Sequence, residues 1–272
     1  MPELPEVETT RRGIEPHLLG RRMTHIRVYD SRLRWPVPAD LPDQFRDACI
    51  HAVKRRGKYL LIDCAKHGHL LMHLGMSGSL RIQPTTAPKR KHDHAELQLD
   101  SGQCLRLHDP RRFGALLWFN PEQGDHPLLL NLGPEPLEEH FNADYLFKTA
   151  RRRQVSIKAL IMNSQVVVGV GNIYASEALF MAGIRPRRAA GRITRAEAQK
   201  LVDSIRSVLQ EAITQGGTTL RDFLREDGSH GYFSQRLKAY GRANLPCTKC
   251  GAEIRQITQG RRSSYYCPQC QR

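Results

Sequence analysis

Four cysteines near the C-terminus constrain this chain more than any other feature. They stand as Cys247-x2-Cys250 and Cys267-x2-Cys270, with sixteen residues between the pairs. Two knuckles of this spacing can supply four thiolates to one tetrahedral metal, and the chain between them has to leave and return as a hairpin. The spacing predicts a zinc ribbon holding one structural Zn2+. Sulfur fills all four positions, so the metal shapes the segment and takes no part in chemistry. Cys49, Cys64 and Cys104 lie scattered among apolar residues and read as buried thiols. The first residues carry Glu3, Glu6 and Glu8 instead of a hydrophobic signal, and no apolar run is long enough to cross a bilayer. A cytoplasmic, nucleoid-associated chain with no membrane partner and no disulfides is expected.

The formal charge is +15, and it is lopsided. Residues 1–150 hold 21 Lys and Arg against 19 Asp and Glu, whereas residues 151–272 hold 21 against 8. The second half is therefore expected to meet a polyanion, nucleic acid first. Hydrophobic periodicity divides the chain in the same place. Residues 3–13 fit a helix, with Pro5 in its first turn and Gly13 and Pro16 as stop signals. Short β-rich runs follow at 59–64, 69–74, 79–82, 94–99, 104–108 and 115–119, separated by Gly, Asp and Ser. They predict an antiparallel sandwich or barrel. Residues 120–150 are proline-broken and read as a hinge. Helical periods then appear at 155–162 and 172–182, and Thr194-Arg-Ala-Glu197 is a capping box opening a long helix to about Thr214. The Gly- and Ser-containing stretch 217–237 reads as mobile.

Several residues stand where chemistry could use them. Pro2 follows the initiator methionine, and loss of Met1 would expose a secondary amine titrating near pH ~8. Such an amine attacks an aldehyde carbon to give an iminium, an electron sink that drives eliminations. Glu3 stands beside it as a proton donor. The alternative is that Pro2 and Pro5 only start a helix. Gly169-Val-Gly171-Asn172 is a tight glycine turn entering a helix, where backbone N–H groups can bind phosphate and Asn172 can cap the helix or donate to a phosphate; a plain turn reads equally well. Arg111-Arg112-Phe113 sits at a strand start. Phe113 reads either as a wedge that unstacks bases, with Arg111 reaching an orphaned base edge, or as a core ring flanked by solvated arginines. Met76, in Gly75-Met-Ser-Gly78, reads as an apolar loop tip. His92 reads as a phosphate contact or a strand surface, and Arg262 either as a single arginine placed on a metal-held hairpin or as ordinary surface charge.

Together these motifs resemble the formamidopyrimidine-DNA glycosylase family, in order and over the whole chain. The matching segments are Pro2-Glu-Leu-Pro-Glu-Val-Glu8, Gly57-Lys58, His108-Asp-Pro-Arg-Arg-Phe-Gly114, Gly169 to Glu177 and the four-cysteine ribbon. The resemblance implies an α+β, multidomain chain. It would have an N-terminal antiparallel β-sandwich with its leading helix (1–131), a hinge (132–150), a helical domain with a helix–two-turn–helix motif (151–237) and a C-terminal zinc-ribbon hairpin (238–272). It implies a bifunctional DNA base-excision repair enzyme, a glycosylase and abasic-site lyase acting on oxidised purines in double-stranded DNA. Pro2 would be the Schiff-base nucleophile and Glu3 the proton donor at the sugar. Lys58 would donate the proton for β-elimination and Arg262 for δ-elimination. His92, Arg111, Arg153 and Asn172 would contact DNA, Met76, Arg111 and Phe113 would fill the space left by an extruded nucleotide, and 217–237 would cover the damaged base. A monomer needing no protein partner is implied. Two rivals remain: an endonuclease VIII-like enzyme acting on oxidised pyrimidines, and a non-catalytic zinc-ribbon protein that binds nucleic acid.

Overall fold

The structure, a computed structural model, describes residues 2–217 and 237–272. Most of the stretch expected to cover a damaged base therefore lies outside the described residues. The chain forms two compact units, one built on residues 1–130 and the other on 131–215 with the C-terminal segment.

The first unit opens with helix α1, Leu4–Leu18. It passes through the expected stop signals at Gly13 and Pro16 and ends at Leu18, because Ile14 and Leu18 are fully buried and anchor its C-terminal end in the core. Strands β1 (Arg22–Val28), β2 (Ala48–Cys49), β6 (Ser79–Pro84), β7 (Asp93–Leu99) and β8 (Gln103–His108) form an antiparallel sheet in the order β2-β1-β7-β8-β6, and a short helix, α2 (Leu41–Gln44), precedes β2. Strands β3 (Ala52–Arg56), β4 (Tyr59–Asp63), β5 (His69–His73) and β9 (Ala115–Phe119) form a second antiparallel sheet, followed by α3, Pro127–Leu130. One core joins α1 (Val7, Ile14, Leu18), the first sheet (Met23, Leu97, Leu105) and the second (Leu60, Ile62, Leu70). The expected sandwich is thus present. Strand β1 escaped the sequence pattern because a register shift between Met23 and His25 interrupts its alternation.

Strand β7 is buried on both faces, although its sequence alternates charge with apolar residues. Its outer face carries Glu96 and Asp93 against Arg106, which is 2 % exposed. Arg106 donates through Nε to Glu96 at 2.7 Å and through Nη1 and Nη2 to the carbonyls of Pro88 and Ala87 at 2.9 and 2.6 Å. The basic strap between β6 and β7 is thereby drawn over the sheet.

The second unit is helical, with α4 (Ala143–Ala150), α5 (Ile157–Ile161), α6 (Asn172–Ala182) and α7 (Arg195–Thr214). Helix α4 lies in the stretch that proline content made look like a hinge; Asn142 caps it, accepting from Tyr145 N at 2.9 Å. The Thr194–Glu197 capping box forms as expected, and Arg188 grips Glu197 with both terminal nitrogens, at 2.6 and 2.9 Å. Helix α6 ends on left-handed Gly183. Strands β10 (Arg255–Gln259) and β11 (Arg262–Tyr266) make the C-terminal hairpin, whose small core joins Phe180, Ala239 and Ile254 to Cys247 and Cys267.

Leu60 is fully buried and Leu19 is 52 % exposed. Leu60→Ala should cost about 2–5 kcal/mol in urea unfolding of the sandwich, and Leu19→Ala no more than about 0.5 kcal/mol. Equal losses would contradict this placement of the core.

Candidate nucleic-acid interface and metal centre

The loops at one end of the sandwich strands are tied together by Asp109, which is fully buried. Its Oδ1 accepts from Ser77 Oγ at 3.0 Å and from the Arg111 backbone N–H at 3.2 Å, and its Oδ2 accepts from Gly114 N–H at 2.7 Å. Its own N–H donates to the His92 carbonyl at 3.0 Å, and its carbonyl lies 2.7 Å from His94 Nε2. One residue thus fixes the Met76 turn, the Arg111–Phe113 turn and the backbone of His92. The loops also touch directly. Gly75 has φ +62, and a Cβ there would lie 2.4 Å from the Phe113 carbonyl carbon, so only glycine fits.

Phe113 is 42 % exposed, which removes the reading of it as a core ring. The Arg111 guanidinium lies 5.1 Å from its ring centre, so ring and cation present one surface. Arg112 turns through φ +57 and pairs with Asp30 at 2.8 Å. Met76 and His92 are half-buried. His94 is buried within the sheet, so of the two histidines only His92 remains available to a ligand.

Pro2 is buried ahead of α1. Glu3, 2 % exposed, is the N-cap residue, and its backbone N–H donates to Glu6 Oε2 at 2.8 Å. Glu6 thereby fixes the backbone immediately after Pro2. Lys58 sits on a two-residue turn between β3 and β4, where Gly57 takes φ +58. His73 lies at the same end of the second sheet, its ring 5.0 Å from that of Tyr59. Burial, with the nearby charges of Lys58 and Arg34, pushes His73 down to about 4. Its Nδ1 accepts from Gly75 N–H at 3.0 Å, which leaves the proton on Nε2 and makes that atom a neutral donor.

In the second unit, Arg153 is exposed at the end of the run Arg151–Arg153. Asn172 is the first residue of α6, and Gly171 holds the cap position, so Asn172 does not cap the helix. Its Oδ1 is enclosed and has no partner among the described residues. Arg262 is exposed and opens β11 after the left-handed pair Gly260 and Arg261, at φ +53 and +62. It borders a cavity of about 260 Å³ together with Ser156, Lys158, Met162 and Gln259. Lys158, 2 % exposed, donates through Nζ to Ser263 O at 2.9 Å and Ser264 Oγ at 2.8 Å, pinning the hairpin beside α5. Glu177 is also buried, and its carboxylate accepts the backbone N–H groups of Lys238, Ala239 and Tyr240 at 2.9, 2.9 and 2.7 Å.

The four ribbon cysteines converge. All four sulfurs lie within 4.8 Å of one another, with 3.9 Å between Cys247 and Cys270 and 3.5 Å between Cys250 and Cys267. Sulfurs ~2.3 Å from a tetrahedral zinc stand about 3.8 Å apart, so this donor set fits Zn2+. Among the described residues, no other His, Cys, Asp and Glu group converges in this way.

Three family models divide the chain between them. The formamidopyrimidine-DNA glycosylase N-terminal domain matches residues 1–116, the H2TH domain of the same enzymes matches 132–224, and the zinc finger found in FPG and IleRS matches 244–272. The chain belongs to the formamidopyrimidine-DNA glycosylase family. Family membership makes it an enzyme of the glycosylase and abasic-site lyase class. It is 65 % identical to the formamidopyrimidine-DNA glycosylase of Thioalkalivibrio sulfidiphilus over 272 residues, covering all of both chains. With that of Nitrosococcus oceani the identity is 55 % over 271 residues, again full length in both. Among solved structures, a Lactococcus lactis FPG mutant in complex with Fapy-dG DNA superposes with a TM-score of 0.92 at 32 % identity, covering 100 % of each chain. The MutM (FPG) protein of Thermus thermophilus does so at 0.88 and 39 %, covering 99 % of this chain and 98 % of that one.

Asp109, Glu6, His73, Lys158 and Glu177 escaped the sequence reading. Glu6, Asp109 and Glu177 stand inside motifs already singled out, and Glu177 is a lone acid in a largely apolar helix. That was the available signal.

His73 is held neutral when folded, so the unfolded chain takes up its proton first. Stability of the first unit should fall as pH drops from ~6.5 toward about 4 and then lose this contribution to the slope. His73→Gln should flatten that part of the profile in urea melts taken across pH; parallel profiles for the two proteins would contradict it. Cys250→Ser should lower zinc content below one ion per chain and weaken binding to duplex DNA while the sandwich melts as before. Full affinity after verified zinc loss would contradict a role for the ribbon in DNA binding.

Proposed function

We propose that this chain excises oxidised purines from duplex DNA and cleaves the resulting abasic site through a covalent Schiff base on Pro2. The observation that carries the reading is the full-length match to relatives held on damaged DNA: Lactococcus lactis FPG structures contain Fapy-dG DNA and abasic-site DNA. Pro2, Glu3 and Lys58 occupy the matching N-terminal segment. A damaged nucleotide in a stacked duplex has to be extruded, at a cost of a few kcal/mol. Phe113 and Met76 would fill the gap and Arg111 would face the orphaned base, offsetting that cost. His92, Arg153, Asn172 and Arg262 would hold phosphates, a mode that weakens steeply with salt.

With Met1 removed, the Pro2 nitrogen attacks C1′ and the bond to the base breaks, the proton for the sugar coming from Glu3. The iminium acidifies the C2′ hydrogen. Its loss expels the 3′ phosphate, assisted by Lys58, and a second elimination assisted by Arg262 expels the 5′ phosphate. Zinc supplies structure alone. The chain would act as a nucleoid-associated monomer, and the division at 131, 150 and 237 would separate its catalytic, hinge, helical and ribbon parts. A neighbour's complex with DNA containing an oxidised pyrimidine supports a lesion range that reaches beyond purines.

Borohydride added during reaction with an 8-oxoguanine duplex should trap one enzyme–DNA adduct on the peptide beginning at Pro2. An adduct mapped to Lys58 would reassign the nucleophile, and strand breaks with no adduct would point to a different nuclease chemistry. Phe113→Ala should weaken capture of damaged duplex more than cleavage of a single-stranded abasic site; equal losses would remove the wedge.

A further inference from the structure

The turn that carries Lys58 is braced to the helix that follows Pro2. Glu8, on α1 just over one turn beyond Leu4, has a side chain only 11 % exposed. Arg11 grips it twice, Nε to Oε2 and Nη2 to Oε1, both at 3.1 Å, and Arg12 Nε reaches Oε1 at 2.8 Å. From the neighbouring sheet, Arg55 Nε donates to Glu8 Oε2 at 3.1 Å. The same guanidinium, 12 % exposed, donates through Nη1 to the Gly57 carbonyl at 3.0 Å. That carbonyl belongs to the peptide joining Gly57 to Lys58. Arg11 Nη1 completes the frame on the Val53 carbonyl of β3, at 3.1 Å.

Stability alone is a poor reason for this arrangement. A largely buried ion cluster loses hydration that its attractions scarcely return, and packed apolar residues often serve a fold as well. Glu8 is nonetheless ionised: burial raises its carboxyl, but the hydrogen bonds and charges of Arg11, Arg12 and Arg55 outweigh that and hold it below the usual range. What the cluster supplies is direction. A planar guanidinium with two donors engaged fixes the rotation of the peptide it touches, and the two-residue turn has no other length over which to correct an error.

We infer that Glu8 and Arg55 are positioning residues, which set the Lys58 ammonium relative to the nitrogen of Pro2 by bracing the Gly57–Lys58 peptide to α1. The inference rests on the reading of Lys58 as the proton donor in β-elimination.

A double-mutant cycle separates the two ideas. Single-turnover strand scission is measured on a duplex carrying an abasic site, with the borohydride-trapped fraction taken alongside, for wild type, Arg55→Gln, Lys58→Gln and the double variant. Arg55→Gln should slow scission by about tenfold to a hundredfold, the cost of a misplaced reacting group, with the trapped adduct still forming. In the Lys58→Gln background the same change should add no more than about twofold, because it has nothing left to position. If Lys58→Gln slows scission and Arg55→Gln multiplies on it in full, the brace is wrong and the reading of Lys58 stands. If Lys58→Gln cleaves at the wild-type rate, the reading of Lys58 falls and takes the brace with it. Urea melts accompany each variant. Should Arg55→Gln unfold below the assay temperature, Glu8→Gln, which keeps the shape and removes the charge, carries the same cycle.

Discussion

The buried carboxylate of Asp109 is the interaction on which the rest of the first unit's interface depends. Three N–H or O–H donors from two loops converge on its two oxygens. The Ser77 and Gly114 donors are buried, and leaving one of them unsatisfied costs about 1–3 kcal/mol. The loops therefore take one arrangement. The outcome is an exposed phenylalanine backed by an arginine, beside a half-buried methionine, on turns too tight to relax. Phe113 stands exposed on a turn held by Asp109, which suits the wedge proposed for it, since a preorganised ring need not be ordered on binding.

The second unit solves a different problem. Its C-terminal hairpin has too small an apolar core to fold by burial alone. The four thiolates close it around one metal, and two buried charges tie it and its lead-in segment to the helices. Lys158 holds the ribbon strand next to Arg262, while Glu177 accepts three successive backbone N–H groups at residues 238–240. Burial raises the Glu177 carboxyl, and those donors, together with the charge of Lys238, oppose the rise. Both charges act as hydrogen-bonding anchors, and removing either partner would strand the other in a dry site.

Much of this was legible in the sequence, for identifiable reasons. The cysteine spacing determines a sulfur tetrahedron by covalent reach, so the ribbon could be read from four positions. The Thr194–Glu197 box announced α7 because capping is local. Strand β1 was hidden because its register shift between Met23 and His25 breaks the alternation, and the end of α1 because burial of Leu18 overrides local punctuation. The candidate site was legible where side chains stand exposed on tight turns, as at Phe113 and Arg262. It was not legible where they meet the protein. Asp109 and Glu177 lie inside recognised motifs, but what they join is distant in sequence: Asp109 takes the Ser77 hydroxyl of another loop, and Glu177 the backbone N–H groups of residues 238–240. Asn172 shows the converse: its place at a helix entry suggested a cap, and Gly171 takes that position.

Asp109 sets the loops that carry Met76, Arg111 and Phe113, which under the proposed function would meet DNA, and one affinity measurement tests this. Asp109→Asn puts an amide N–H₂ where one of the carboxylate oxygens accepts, so either the Ser77 and Arg111 donors or that of Gly114 face another donor. Binding to a duplex with a stable abasic analogue should weaken by about tenfold or more, roughly 1.4 kcal/mol per decade, while the sandwich still unfolds cooperatively. Wild-type affinity in a folded Asp109→Asn protein would contradict the claim.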